Sequence, residues 1–184
     1  NCLRDARTLA AQAEKLGARA ISALAPSYYR PATLDRLINC CAEVAGGAPN
    51  TPFYFYDIPV LTNVNFSMAE FLEKGPARIP TLAGIKFTNS DLMAFQMALR
   101  AGGGKFDVPW GVDEFMLAAL ALGSKGAVGS SFNFAAPVYH RLIAAFERGD
   151  METARAEQWK SVQIIQALAS VGYLGAGKVV MGGL

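Results

Sequence analysis

Apolar residues recur along this chain at two spacings that alternate, and the alternation predicts helices and strands in turn. Between residues 3 and 16 they return every three or four positions, as on one face of a helix, and Gly17 follows as a stop signal. The next apolar run is short and ends at Pro26, so its length favours a strand. Continued along the chain, the pattern predicts helices near residues 3–16, 34–44, 68–74, 92–99, 114–122, 138–147 and 151–171, and strands near 20–24, 53–56, 81–87, 106–110 and 126–129.

Strands that alternate with helices are typical of parallel β/α units, so we expect a fold of the α/β class. A complete TIM (β/α)8 barrel has eight strands and takes about 250 residues. We therefore expect this chain to supply the later five strands of such a barrel over residues 1–135, from the helix before strand four to strand eight. Residues 136–184 are expected to form the last barrel helix and a C-terminal helical extension. An open doubly wound sheet is the alternative, although no Gly-rich dinucleotide fingerprint follows any strand.

Composition narrows the class of protein further. Hydrophobic residues make up 52% of the chain and charged residues 17%, which indicates a globular protein with a sizeable core. The net charge of +2 and the scattered basic residues do not indicate a nucleic acid or a membrane surface as partner. Three cysteines without a CxxC pair predict free, buried thiols in a reducing cytoplasm. With His140 as the one histidine, no metal site is expected, and His140 is expected on a surface or helix face.

Polar residues gather where the predicted strands end. In a β/α barrel the catalytic residues lie at the C-terminal ends of the strands, so these positions are the first place to look for a site. Each end carries a hydroxyl, a charge or a glycine, whereas the strands before them are apolar. The five ends read Pro26-Ser27-Tyr28-Tyr29, Tyr56-Asp57-Ile58-Pro59, Lys86-Phe87-Thr88, Trp110-Gly111-Val112-Asp113-Glu114 and Gly129-Ser130-Ser131.

Lys86 is the candidate nucleophile because it stands within an apolar strand. Burial disfavours the ammonium form of a lysine, and the neutral amine is the form that attacks a ketone to give a Schiff base. An ordinary lysine whose ammonium group reaches solvent is the alternative, and position alone does not decide between them. Tyr56, at the preceding strand end, could shuttle protons for such an imine. Alternatively, Tyr56 belongs to an aromatic layer with its neighbours in 53–55.

The segment of Gly111, Asp113 and Glu114 could bind a polyhydroxylated substrate, since carboxylates accept hydrogen bonds from sugar hydroxyls. The alternative is that Asp113 caps a helix N-terminus while Glu114 in the first turn interacts with the helix dipole. Both interpretations can hold together, because one carboxylate facing the substrate is enough.

Three segments of the sequence resemble the superfamily of N-acetylneuraminate lyase and dihydrodipicolinate synthase. They are Tyr56-Asp57-Ile58-Pro59, Gly84-Ile85-Lys86-Phe87-Thr88 and Gly126-Ala127-Val128-Gly129-Ser130. The resemblance covers the whole chain in order and spacing. The family's pyruvate-carboxylate loop, of the Gly-Ser/Thr-Thr-Gly-Glu type, does not occur in this sequence.

The resemblance implies roles for five residues. Lys86 would form an imine with pyruvate, and Tyr56 would assist proton transfer. Thr88 and Ser130 match further positions that contact substrate. Tyr28 matches a tyrosine that reaches into the site of a neighbouring subunit, and the family is typically tetrameric.

Within the family, the lyase branch fits best. Synthases usually carry an arginine where this chain has Leu61, and Gly111-Val112-Asp113-Glu114 resembles the lyase motif for the sugar's hydroxyl tail. Asp57 departs from the usual asparagine or histidine. The implied function is a class I carbon–carbon lyase that reversibly cleaves N-acetylneuraminate to N-acetylmannosamine and pyruvate. No metal or organic cofactor is implied, because the protonated imine at Lys86 accepts the electron pair.

Three alternatives remain at this stage. A sister pyruvate-dependent aldolase would act on another 2-keto-3-deoxy sugar acid, and dihydrodipicolinate synthase itself would lack the expected arginine. A barrel homologue without catalytic activity would belong to a different class of protein. The retention of both Tyr56 and Lys86 favours an enzyme.

Overall fold

The structure is a computed structural model that describes residues 2–183. The chain divides into two units, Asn1–Pro109 and Trp110–Leu184. A three-stranded parallel sheet lies in the first unit. Its strands are β1 (Ile21–Leu24), β2 (Phe53–Asp57) and β3 (Leu82–Phe87), in that spatial order. All neighbours are parallel, as the alternation of strands and helices predicts.

Three helices of the first unit begin where polar side chains cap them. Thr33, Ser67 and Asp91 each accept a hydrogen bond from the backbone N–H three residues further on, which satisfies a donor that the helix cannot. These caps begin α2, α4 and α5, while α3 starts with a proline at its first position. The helices are α1 (Leu3–Lys15), α2 (Leu34–Ala45), α3 (Pro59–Thr62), α4 (Met68–Lys74) and α5 (Leu92–Arg100).

The two faces of β2 have different surroundings. Phe53, Phe55 and Asp57 point to one face and are buried, whereas Tyr54 and Tyr56 point to the other and are half-buried. On the buried face, aromatic rings from helices pack against the sheet, as Phe55 with Phe71 and Phe87 with Phe95 show at centroid distances of 4.9 and 5.3 Å. Burial of each such ring contributes about 1.5–3 kcal/mol.

The fourth and fifth predicted strands are wrong as strands: each is reduced to an isolated parallel bridge. Asp107 bridges to Gly84, and Trp110 bridges to Ala127. Along β3, the Asp107 N–H donates to the carbonyl of residue 83, and the Asp107 and Pro109 carbonyls accept the N–H groups of residues 85 and 87. Pro109 has no N–H to donate in return, so one bond of the ladder is missing there. The direction of the chain at both bridges is parallel, as predicted.

Gly84 marks the place where the Asp107 segment approaches β3. A Cβ atom there would lie 1.8 Å from the Asp107 carbonyl oxygen and 2.9 Å from Cε1 of Tyr54. We expect Gly84→Ala to destabilise the full-length protein by more than the ~1–3 kcal/mol usual for overpacking, because backbone must move. Denaturant unfolding checks this, with Gly126→Ala as control, since a Cβ on Gly126 meets nothing within 4 Å. Equal stability of the two variants would contradict the close approach.

The second unit is helical. The segment Asp113–Phe115 forms a 3-10 turn before α6 (Met116–Ala121). α7 (Phe132–Glu147) begins earlier than the predicted residue 138 and contains Pro137, and the irregular φ of −125° at Ala135 accommodates it. The remaining helices are α8 (Met151–Ala169) and α9 (Tyr173–Gly182).

The C-terminal region differs from prediction because Gly172 ends the run of helix. The sequence pattern predicts one helix over 151–171, whereas α8 ends at Ala169, Gly172 adopts φ +93°, and α9 follows. α8 and α9 meet at a bend of 107°. Within residues 2–183 no single helix is long and apolar enough to cross a membrane, and only this bent pair reaches that length and composition together. The predicted division at residues 135/136 stays a prediction.

The cysteines are free thiols, as predicted, but burial holds for one of them only. Cys41 is buried, Cys40 is half-buried and Cys2 is exposed. His140 lies exposed on α7, in agreement with the expected surface position. No group of three or more His, Cys, Asp or Glu side chains that could hold a metal ion occurs in the part of the chain that the structure describes.

Candidate active site

Lys86 and Tyr56 lie against each other at the C-terminal ends of β3 and β2. The two residues are partners in the parallel register, so their side chains point to the same face of the sheet. The Lys86 Nζ lies 3.9 Å from the centroid of the Tyr56 ring, a cation–π contact. Both side chains are half-buried. The structure thus brings together the amine and the phenol that the sequence singles out.

Thr88 follows Lys86 by two residues at the end of β3. Its backbone N–H donates to the Asp57 carbonyl at 2.8 Å, which anchors the end of the strand. Its Oγ1 is buried and has no hydrogen-bond partner within residues 2–183. An unsatisfied buried hydroxyl costs about 1–3 kcal/mol, and such a group is often explained by a function. Thr88 is therefore a candidate for contact with a ligand.

Asp57 lies on the opposite face of β2 from Tyr56. Its side chain is only 3% exposed, and among the described residues its Oδ2 has no hydrogen-bond partner. Burial raises the pKa of this carboxyl to about 7, because the apolar surroundings disfavour the charged form. Asp57 thus stays largely protonated, and therefore neutral, at mildly acidic pH.

Tyr54 points to the same face of β2 as Tyr56 and lies two residues before it. Its hydroxyl donates to Oδ2 of Asp107 at 3.0 Å. Burial, and next the hydrogen bond and charge of Asp107, raise the pKa of Tyr54 above its usual value. The Tyr54 hydroxyl is thus committed to a structural bond, whereas both interpretations of Tyr56 stay predictions.

Asp113 in the second unit is buried and holds the loop around Ser131. Its Oδ2 accepts the backbone N–H of Ser131 at 2.9 Å and the Ser131 hydroxyl at 2.5 Å. The helix-cap interpretation of Asp113 is wrong: Val112 occupies the N-cap position, and the carboxylate bonds to a residue far along the chain. A Cβ on Gly129 would lie 1.9 Å from Oδ1 of Asp113, so glycine is required there.

Buried hydroxyls extend this contact into α7 and α8. The Ser131 Oγ lies 2.5 Å from the Tyr139 hydroxyl, which lies 2.8 Å from the Ser161 Oγ. Because Ser131 donates its one proton to Asp113, Tyr139 donates to Ser131. Gln158 on α8 also donates to the Asp113 carbonyl at 3.3 Å. Asp113 is therefore the anchor of a buried polar network.

The other predicted residues of the second unit are more accessible. Gly111 and Glu114 are half-buried and Ser130 is exposed. Of the two carboxylates, Glu114 is the freer to meet a ligand, since Asp113 is occupied by Ser131. The Ser130 Oγ lies 2.9 Å from the Tyr173 hydroxyl at the start of α9. Sequence reasoning did not select Tyr173, and the only signal was its place after Gly172.

Tyr28 and Leu61 lie exposed at the other strand ends of the first unit. The Tyr28 side chain is 78% exposed and its ring packs edge-to-face on Tyr29, at 4.9 Å between centroids. Leu61 on α3 is 72% exposed. A largely apolar groove of about 730 Å³ runs along α1 and β1 and reaches Tyr56.

Comparison with known proteins assigns the family. The Dihydrodipicolinate synthetase family model matches residues 1–181. This chain belongs to that family. The parallel sheet and its helices are consistent with part of the TIM barrel of this family.

Three similar proteins are named as N-acetylneuraminate lyases or sialic acid aldolases. N-acetylneuraminate lyase A of Xenopus laevis is 40% identical over 171 residues, or 93% of this chain and 56% of that protein. The structure of Proteus mirabilis N-acetylneuraminate lyase superposes with a TM-score of 0.95 at 39% identity, covering 98% of this chain and 61% of that one. A catalytic lysine mutant of Ruminococcus gnavus sialic acid aldolase superposes with a TM-score of 0.85 at 27% identity, over 92% and 54%. The chain thus spans little more than half the length of these relatives.

Proposed function

We propose that the protein is a class I lyase that reversibly cleaves N-acetylneuraminate to N-acetylmannosamine and pyruvate. The observation that carries this is the Lys86 amine 3.9 Å from the Tyr56 ring centroid, at the ends of adjacent parallel strands. The names of the relatives support the substrate, and the Ruminococcus gnavus enzyme has a catalytic lysine.

In the proposed mechanism, the neutral amine of Lys86 attacks the keto carbon of the substrate, and water leaves as the imine forms. The carbon–carbon bond then breaks, and its electron pair passes into the protonated imine. The substrate hydroxyl loses its proton as the aldehyde of N-acetylmannosamine forms, and Tyr56 relays that proton. Cleavage leaves an enamine on Lys86, which takes up a proton at its terminal carbon and becomes the imine of pyruvate. Hydrolysis of that imine releases pyruvate and restores the amine. The protonated imine accepts the electrons, so we propose neither a metal nor an organic cofactor.

Binding roles follow from which polar groups remain available. Thr88 offers a buried hydroxyl without a partner among residues 2–183. In the second unit we propose Gly111, Asp113, Glu114 and Ser130 for the sugar hydroxyls, with Asp113 acting partly through Ser131. Tyr28, exposed beyond β1, is proposed to reach a neighbouring subunit's site in a homotetramer.

We also propose that the chain supplies the part of an eight-stranded barrel that holds its later five strand positions, the last two of them as single bridges, with a helical C-terminal extension. The share of the relatives that it covers, 56–61%, supports this. So does β1, which is an edge strand of the three-stranded sheet and is flanked by the apolar groove. The free thiols are compatible with the proposed cytoplasmic location.

Borohydride trapping tests the proposed function. Full-length protein incubated with pyruvate and borohydride is expected to gain one reduced pyruvate adduct, and peptide mapping is expected to place it on Lys86. Release of pyruvate from a panel of sugar acids then identifies the substrate, with N-acetylneuraminate expected to react fastest. No adduct on Lys86 would refute the mechanism. An adduct with a different preferred acid would identify a sister aldolase.

A further inference from the structure

The Tyr54 side chain crosses β3 on the face of the sheet that carries Lys86. Tyr54 on β2 is the register partner of Gly84 on β3, and Gly84 bridges on its other side to Asp107. Because neighbouring strands lie about 4.8 Å apart, the backbones of Tyr54 and Asp107 are separated by roughly 10 Å. The Tyr54 hydroxyl nevertheless donates to Oδ2 of Asp107 at 3.0 Å. The phenol therefore lies across the strand between them.

Gly84 leaves open the space that the Tyr54 ring occupies. A Cβ atom on Gly84 would lie 2.9 Å from Cε1 of Tyr54, so the ring takes the place that a side chain would have there. Residues two apart on a strand point to the same face, so Lys86 comes next after this ring along β3. The Tyr54 ring thus closes the space on the N-terminal side of the Lys86 side chain.

The Lys86 side chain is directed the other way, toward Tyr56. Its Nζ lies 3.9 Å from the centroid of the Tyr56 ring. A lysine has a flexible four-carbon stem, which could also fold back along β3 toward Gly84 if that space were open. The Tyr54 ring blocks this path, and the hydrogen bond to Asp107 restrains the ring itself.

We propose that Tyr54, bonded to Asp107 across β3, is a positioning residue that keeps the Lys86 amine directed at Tyr56. In this role Tyr54 acts through Lys86 and contacts neither the substrate nor the reacting atoms. Attack on a keto carbon requires the amine in a fixed place, so added freedom of the Lys86 side chain slows imine formation. The inference rests on the proposed lyase function and adds to it a hydrogen bond behind the nucleophile.

Tyr54→Phe in the full-length protein tests the proposal, because it removes the hydroxyl that restrains the ring and keeps the ring itself. We expect kcat for pyruvate release from N-acetylneuraminate to fall about three- to tenfold with KM unchanged, in keeping with the loss of one hydrogen bond. The rate of borohydride trapping on Lys86 at saturating pyruvate is expected to fall by the same factor.

Two variants of Asp107 separate the hydrogen bond from the charge of the carboxylate. Asp107→Asn retains an oxygen that accepts the Tyr54 proton, so its kcat should stay within about twofold of the parent value. Asp107→Ala should lose as much as Tyr54→Phe, and the double variant should lose no more than either single one, because both remove the same interaction. Asp35→Ala is the control: its carboxylate bonds to Arg78 at 3.0 Å on the surface, and kcat should not change.

The fraction of chains that trap pyruvate distinguishes positioning from a purely structural role. Positioning predicts that each variant still traps pyruvate on every chain, only more slowly. A smaller trapped fraction with an unchanged kcat per trapping chain would mean that the bond only supports the fold. An unchanged kcat in Tyr54→Phe, or a kcat in Asp107→Asn as low as in Asp107→Ala, would also overturn the inference.

The unmodified protein shows which of the two proposals has failed. If it traps pyruvate on Lys86 and cleaves the sugar acid while the variants behave in one of these contrary ways, the inference alone is refuted. If it neither traps nor cleaves, the proposed function is refuted and the inference with it.

Discussion

Lys86→Met is expected to reduce pyruvate release from N-acetylneuraminate by at least roughly 10³-fold, because removing a covalent nucleophile removes the whole imine pathway. Methionine retains the length and apolar stem of the lysine, and the amine is half-buried against Tyr56, so the fold should persist. The loss is expected in kcat. Steady-state kinetics on the full-length protein measure it, and a thermal melt establishes that the variant remains folded.

Lys105→Met is the matched control. The Lys105 Nζ lies 5.0 Å from the Phe106 ring centroid, so it too is a lysine over an aromatic ring in the first unit. That variant should retain full activity. If it lost as much as Lys86→Met, a general effect of removing lysine charge would explain both. If Lys86→Met kept its kcat, Lys86 would not form the imine.

Asp57→Asn is expected to stabilise the protein at alkaline pH and to leave it little changed near pH 4. The Asp57 carboxyl has a pKa of about 7 in the folded state and the ordinary 3.8 when unfolded. Between these values the folded state holds a proton that the unfolded state has released, so the free energy of unfolding falls as pH rises. This decrease in the free energy of unfolding is complete above pH ~7 and amounts to at most about 4 kcal/mol.

The pH dependence of stability measures this effect. Denaturant unfolding of parent and variant at several values between about pH 4 and pH 8.5 should show a difference that grows with pH and then levels off. Asp5→Asn is the control, because the Asp5 side chain is 69% exposed and should give no such difference. A constant difference between parent and Asp57→Asn across the range would show that Asp57 ionises normally in the folded protein.

Local sequence determined the helices whose capping residues lie directly beside them in the chain. α4 spans Met68–Lys74, where the pattern predicts it, because Ser67 caps its first turn. The Lys86 and Tyr56 pair was also predictable: parallel strands end at one edge, so residues at adjacent ends become neighbours.

Only the tertiary structure decided which polar groups pair across long separations. Asp113 looks locally like a helix cap, yet it bonds to Ser131, because the bridge between Trp110 and Ala127 brings their two loops together. Tyr173 carries no motif, and its contact with Ser130 depends on the bend at Gly172. Likewise, Asp57 differs from an exposed aspartate only through the burial that the face of β2 imposes.

The sequence by itself therefore determined the parallel α/β class, most helix boundaries and the lysine–tyrosine pair, because these depend on local spacing and on strand order. The tertiary structure decided that two predicted strands are single bridges and that Asp113 anchors a buried network. It also decided that α9 delivers a phenol to Ser130. Those features depend on missing donors, close approaches and burial, which arise only when distant segments pack.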